Sequence, residues 1–141
     1  MFSTPKLPLI FLVFIFLLSN ARAVEVTLGQ EVFTIQDGFT VEKVAGPPLV
    51  DRPITASLDE QGRLYVADSS GSNDPVQKQL AEKPHRIVRL EDRNGDGQFD
   101  HSVVFAGKMM FPEGTLWHDG SLYVAAPPSI WRLTDIGGDG I

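Results

Sequence analysis

The chain has 141 residues, 43% of them hydrophobic, with 18 acidic residues against 12 basic and a formal net charge of −6. That length suits one domain, the apolar content rules out a disordered chain, and an acidic balance without any basic run rules out a phosphate-tracking nucleic-acid partner. The absence of cysteine excludes a disulfide framework, a thiolate metal site, covalently attached c-type haem and a lipid-modified N-terminal Cys.

Met1–Lys6 carries one positive charge and precedes Leu7–Leu18 (LPLIFLVFIFLL), twelve residues in which only Pro8 interrupts an apolar run. Ala21-Arg22-Ala23 then places small residues at both ends of an Ala-x-Ala site. Residues 1–23 thus have the three-part form of a secretory signal peptide cut after Ala23. The run falls short of the roughly 20 apolar residues that a membrane span needs. No twin-arginine pair precedes it. The mature chain, residues 24–141, is expected in the periplasm or outside the cell, with no membrane span after cleavage.

From Val24 onward no helical apolar period of useful length occurs. Short β-branched and aromatic runs recur instead, bounded by Gly, Pro, Asp or Asn. The expected strands are Glu31–Ile35, Phe39–Ala45, Ile54–Leu58, Arg63–Ala67, Arg86–Glu91, Ser102–Phe105, Thr115–His118, Ser121–Ala125 and Ile130–Thr134. Asp37-Gly38 and Asp119-Gly120 suit two-residue type I′ hairpin turns, which need positive φ at both positions. Gln61-Gly62 plays a similar part before RLYVA. Gly46-Pro47-Pro48 and Ala126-Pro127-Pro128 mark connections. Asp74–Lys83 is the one stretch suited to a helical turn or two. The fold class is all-β.

The chain repeats itself. Gly62–Asp68 (GRLYVAD) aligns with Gly120–Ala126 (GSLYVAA) at an offset of 58, and Ile87–Gly97 aligns with Ile130–Gly140 at an offset of 43. The 15-residue difference falls within the polar stretch Ser69–Arg86, a loop insertion in the first copy. Units of about 40–50 residues built from four short strands characterise β-propeller blades. The copies, about 54–105 and 112–141, amount to about two blades. A propeller usually needs roughly four to eight. The chain stops inside the second copy's Asp/Gly turn, so the expectation is the N-terminal piece of a longer protein, a propeller incomplete at its C-terminus.

The sharpest local motif is Asp92-Arg93-Asn94-Gly95-Asp96-Gly97-Gln98-Phe99-Asp100. Asp92, Asn94, Asp96 and Asp100 set side-chain oxygens at positions 1, 3, 5 and 9, with Gly97 allowing the sharp turn at 6 and the Gln98 backbone carbonyl available at 7. Ca²⁺ takes about 6–8 oxygen ligands, and such a spacing can wrap them around one point. Val103 stands where an EF-hand carries its bidentate Glu, and strands flank the loop, so this is no regular EF-hand. Asp, Asn and Gly also suit an ordinary polar turn. Asp135-x-Gly137-x-Asp139-Gly140 is a shorter second copy.

His85, His101 and His118 lack metal-ligand spacing and read as exposed turn residues. Ser69, Ser70 and Ser72 have no nucleophile elbow, and no phosphate-cradling Gly loop is present. Arg89 and Arg132 occupy equivalent repeat positions, as structural strand residues do. Trp117 and Trp131 read as core between blades. Arg52 and Glu113 each precede an expected inner strand, where a side chain can face a ligand.

The runs FTVEKVAGPPLVDRPITASLDEQGRLYVADSSG, HRIVRLEDRNGDGQFD and FPEGTLWHDGSLYVAAPPSIWRLTD resemble the start of the membrane-bound dehydrogenases of planctomycetes and their relatives, above all at Tyr123–Trp131. The resemblance covers nearly all of residues 31–141. It implies a six-bladed propeller similar to the soluble pyrroloquinoline-quinone sugar dehydrogenases, often continued by helical repeats and a haem c domain. No Cys-x-x-Cys-His motif is present here, and most of the family's quinone pocket would lie beyond residue 141.

The expected function is therefore that of a fragment of an exported, quinoprotein-dehydrogenase-like propeller, oxidising a sugar or alcohol in the full-length protein. Pyrroloquinoline quinone and haem c are implied only there, and this chain alone is expected to be inactive. The alternative is a non-enzymatic secreted propeller that binds carbohydrate or protein partners.

Overall fold

The structure, a computed structural model, describes residues 22–139. Residues 1–21 of the expected signal segment lie outside the described residues. The chain divides into two units, residues 1–42 and residues 43–141.

The first unit contains an antiparallel hairpin of β1 (Ala23–Leu28) and β2 (Glu31–Gln36), in register from Ala23↔Gln36 to Leu28↔Glu31. The expected Glu31–Ile35 strand is β2. β1 has no counterpart among the expected strands, although its alternating Val24 and Val26 have the period of two that strands require.

The strand expected over Phe39–Ala45 does not form. After Asp37-Gly38 the Phe39 N–H donates to the Gln36 carbonyl at 3.1 Å. Gly38 has φ +90°, but Asp37 is not in the positive-φ region, so the turn lacks the type I′ geometry that would return a second strand. Alternation alone makes no strand without a ladder partner. Ala45, Leu49 and Val50 instead pack flat on the face of a sheet in the second unit.

That unit is built from β3 (Pro53–Leu58), β4 (Leu64–Asp68), α1 (Val76–Glu82), β5 (His85–Glu91), β6 (His101–Met109), β7 (Gly114–His118), β8 (Ser121–Ala126) and β9 (Ser129–Leu133). They form two antiparallel sheets, ordered β3-β4-β5-β6 and β7-β8-β9, each strand beside its neighbour in sequence. The described chain is thus mostly β, with one short helix where Asp74–Lys83 is expected to turn helical. α1 ends at Lys83, whose left-handed φ of 47° lets its N–H reach the Gln79 carbonyl.

The turns follow local chemistry. Asp119 and Gly120 have φ of 47° and 69°, the type I′ pair expected between β7 and β8. Between β3 and β4 the Asp59 carboxylate accepts from the backbone N–H groups of Gln61 and Arg63 and from the Arg63 guanidinium.

The repeat is expressed in register. Tyr65 faces Arg89 across β4–β5, and Tyr123 faces Arg132 across β8–β9. Leu64↔Leu90 is matched by Leu122↔Leu133, and Val66↔Val88 by Val124↔Trp131. Both offsets in the sequence therefore deliver the same cross-strand pairs.

Because side chains alternate across a strand, the four-stranded sheet has two apolar faces. Tyr65, Ala67, Ile87 and Phe105 meet Leu122, Val124 and Ala126 of the second sheet. Val66, Val88 and Leu90 form the other face, covered by Ala45, Leu49, Val50 and Phe99. Full burial of such side chains is worth about 1.5–3 kcal/mol each, so these two layers hold the unit together. Tyr65 stacks on Trp117 at 4.8 Å between centroids and meets Phe105 edge-on at 4.9 Å. Trp117 is the core residue its sequence position implies.

Candidate functional site

Antiparallel order sends successive connections to alternate ends of the sheets. The β3–β4 turn, the β5–β6 loop and the β7–β8 turn leave from one end. The approach to β3, the β4–β5 connection with α1, the β6–β7 link and the β8–β9 link gather at the other. Trp117 joins the two sheets near the first end: its N–H donates to the Ser57 hydroxyl at 2.7 Å and its indole N–H to Glu60 at 2.6 Å. β3 and β7 therefore run side by side in the same direction.

At the first end lies the Asp/Gly loop. Asp92 accepts from the N–H groups of Gly95 and Gly97 at 2.7 and 2.8 Å. The Gly97 bond above all, with Gly95 behind it, holds the Asp92 carboxyl below its usual range. Asn94 accepts from the Asp96 N–H, Asp96 from the Gln98 N–H, and Asp100 from the Arg93 N–H. The five expected ligand residues are thus brought into one loop, wound around its own amides. Among the described residues no group of three or more His, Cys, Asp or Glu is placed to hold a metal ion. The second copy begins in the same way, with the Gly138 N–H donating to Asp135 at 2.7 Å.

The opposite end is organised by two buried polar groups. Asp68, 1% exposed, accepts from the Asp51 and Arg52 N–H groups through one oxygen and from the Arg86 guanidinium, twice, through the other. One carboxylate thereby fastens the start of β3, the end of β4 and the start of β5.

His85, also 1% exposed, overturns the expectation of an exposed turn residue. Its Nδ1 accepts from the Ser70 N–H at 3.1 Å, and its Nε2 lies 3.0 Å from Gln79 Oε1. The Gln79 amide nitrogen donates to the Asp74 carbonyl at 2.6 Å, leaving Oε1 as the acceptor. The proton is accordingly on Nε2, and burial holds the imidazole's pKa down, in favour of the neutral form. The ring tilts against Phe111. The Ser69 and Ser70 hydroxyls are each 3.4 Å from Nδ1, which the Ser70 amide already occupies. This is a clasp for the inserted connection, not an activated serine. Of the other histidines, His101 is half-buried and His118 exposed.

Arg52 and Glu113 both belong to this end. The Arg52 guanidinium lies over Gly71, whose φ is +72°; a Cβ there would collide with it. Glu113 is exposed, and its N–H donates to the Ala125 carbonyl at 2.9 Å. Arg89 is buried and paired with Glu91 at 2.7 Å, the structural role its repeat position implies, while Arg132 is exposed. Trp131 departs from expectation. It is 48% exposed, its indole N–H tied to the Ala126 carbonyl at 3.3 Å. It lines a cavity of about 170 Å³ with Leu80, Lys83, Lys108, Met109, Met110, Pro127, Pro128 and Leu133. Nothing in the spacing of these residues announced the cavity, because α1, β6 and the β8–β9 link meet only through the fold.

A family model described as a domain of unknown function, DUF7133, matches residues 27–141. The chain belongs to the DUF7133 family. No curated protein and no solved structure matches it. The DUF7133 match spans β2 to β9 and only the last two residues of β1. Among the described residues no helix is long and apolar enough to cross a membrane.

Proposed function

We propose that this DUF7133 chain supplies successive blades of an exported β-propeller, with the end that bears Arg52, His85 and Glu113 as its ligand-binding end. The carrying observation is how the faces repeat. Tyr65 and Ala67 of the first sheet pack on Leu122 and Val124 of the second. The second sheet's Tyr123 and Ala125 lie on its opposite face, beside exposed Leu116 and Ile130. That face offers the next sheet what the first sheet offers the second. Such head-to-tail stacking, with β3 and β7 adjacent and parallel, builds a ring of blades around an axis.

In the whole protein the reading is a quinoprotein-like oxidoreductase. A bound quinone would take two electrons and two protons from a sugar or alcohol hydroxyl carbon, leaving a carbonyl compound and a hydroquinone. On this chain the fit rests on Arg52, whose guanidinium sits in a place that only Gly71 leaves open; it would hold a cofactor carboxylate. Glu113 would orient a substrate hydroxyl. Ca²⁺ would be taken by the loop Asp92–Asp100, whose oxygens keep lone pairs beyond those given to the backbone.

The test is equilibrium binding of pyrroloquinoline quinone to the assembled propeller that this reading implies, with this chain as its first blades, followed by tryptophan fluorescence. Binding that Arg52→Ala weakens about tenfold supports the reading, that being the worth of one charge-assisted contact. Absence of binding, or binding indifferent to Arg52→Ala, sinks the quinone assignment. The engaged, structural state of His85 favours a second reading, a carbohydrate-binding propeller without chemistry, which saturable binding of oligosaccharide would support.

A further inference from the structure

We propose that the cavity between α1, the end of β6 and the β8–β9 link is a binding site for a small amphipathic carboxylate: one ring or a short chain bearing a single negative charge. This stands apart from the quinone reading, since it involves neither Arg52 nor Glu113.

Size sets the first limit. The cavity holds about 170 Å³. Drug-sized ligands occupy pockets of roughly 300–1,000 Å³, whereas a cavity of about 150 Å³ takes benzene. A fused tricyclic quinone is too large. A single ring fits.

The walls define the apolar part. Leu80, Met109, Met110 and the Pro127-Pro128 pair are joined by the indole of Trp131. In register Trp131 stands where the first sheet has buried Val88. The repeat therefore places a small core residue at this position in one sheet and a half-exposed, hydrogen-bonded aromatic plate in the other. An aromatic plate beside two methionines suits a flat or flexible apolar body.

Charge defines the rest. Lys83 and Lys108 complete the lining, both exposed. Arg52, Arg63, Lys78, Arg86, Arg89 and Arg93 each have a carboxylate partner. Among the described residues Arg22, Lys43, Lys83, Lys108 and Arg132 have none, and of these Lys83 and Lys108 line the cavity. In a chain with net charge −6, two unpaired ammonium groups at one apolar cavity are the complement of an anion.

Backbone geometry makes the lysines conspicuous. Lys83 and Lys108 have φ of 47° and 54°. Glycine adopts that region freely, whereas a residue with a Cβ is strained there. Lysine at both places supplies a cation where the backbone alone would favour glycine.

The same geometry provides the test, since Lys83→Gly and Lys108→Gly remove the charge while relieving the backbone. Phenylacetate and the neutral phenylacetamide would be titrated into the full chain by calorimetry, with the indole N–H resonances of Trp131 and Trp117 followed in parallel. Phenylacetate should bind about tenfold more tightly than the amide, a difference that the double glycine variant should abolish, and added salt should weaken it. The Trp131 resonance should move and that of Trp117 should not. Equal affinity for acid and amide, no binding of phenylacetate, or a shift confined to Trp117 would each overturn the proposal. Unfolding midpoints of the glycine variants at or above that of the wild type exclude misfolding as the cause.

Discussion

His85 decides whether residues 69–83 stay on the sheet. Its two ring nitrogens hold the Ser70 amide on one side and Gln79 of α1 on the other. Burial lowers its pKa from the ordinary 6.5. Above that value folded and unfolded chains both carry neutral imidazole. As pH falls through it, the unfolded chain takes up a proton that the folded chain resists, so stability drops toward the lowered folded value. The carboxyls with depressed pKa, Asp74, Glu91 and Asp92, lose their contribution as pH falls from the ordinary carboxylate range to the lowered folded values, at more acid pH than His85. The urea midpoint should therefore fall between about pH 7 and pH 5. His85→Asn keeps an acceptor for Ser70 but cannot titrate, and it should flatten the profile; an unchanged slope would assign the effect elsewhere. None of this was legible in the sequence. A histidine beside a polar insertion looks solvent-facing until α1 folds back over it.

Among the elements, the strands of the second unit were the readable ones, whereas β1 went unread although its partner β2 lies beside it in sequence. β3 to β9 follow the alternating runs and the Gly and Asp turns to within a few residues, because each pairs with its neighbour in sequence. β6 runs on to Met109, past the expected end at Phe105. The failure at Phe39–Ala45 has the converse cause: its pattern suits a strand, but pairing is a property of two segments. The Asp/Gly loop was legible as a turn, and its cation affinity is open to direct measurement. Millimolar Ca²⁺ should raise the melting temperature of the full chain by several degrees, corresponding to about 1 kcal/mol of linked binding. Asp96→Ala should remove the shift. A wild-type melting temperature indifferent to Ca²⁺ would leave the loop as a polar turn.

Across the second unit the apolar surface is unevenly distributed. Leu116 and Ile130 are 61% and 77% exposed on the free face of β7-β8-β9. Contiguous exposure of this kind drives association. The full chain should show concentration-dependent self-association in sedimentation velocity, and Leu116→Glu with Ile130→Glu should leave it monomeric with the fold intact. A wild type that stays monomeric at high concentration would mean that the face is satisfied in some other way. The repeat offsets foretold that two like sheets exist. Which face of each is covered became visible only from the register, since Leu122 and Tyr123 are neighbours in sequence yet belong to opposite surfaces.

Ala45, Leu49 and Val50 lie on the face of the first sheet that corresponds to the second sheet's docked face. They stand in for the side chains of a preceding neighbour. The stack is therefore polar in the sense of a row of cups, plugged at one end and open at the other. A further sheet would meet an open face beside Leu116 and Ile130, whereas one arriving on the other side would have to settle over that plug or evict it.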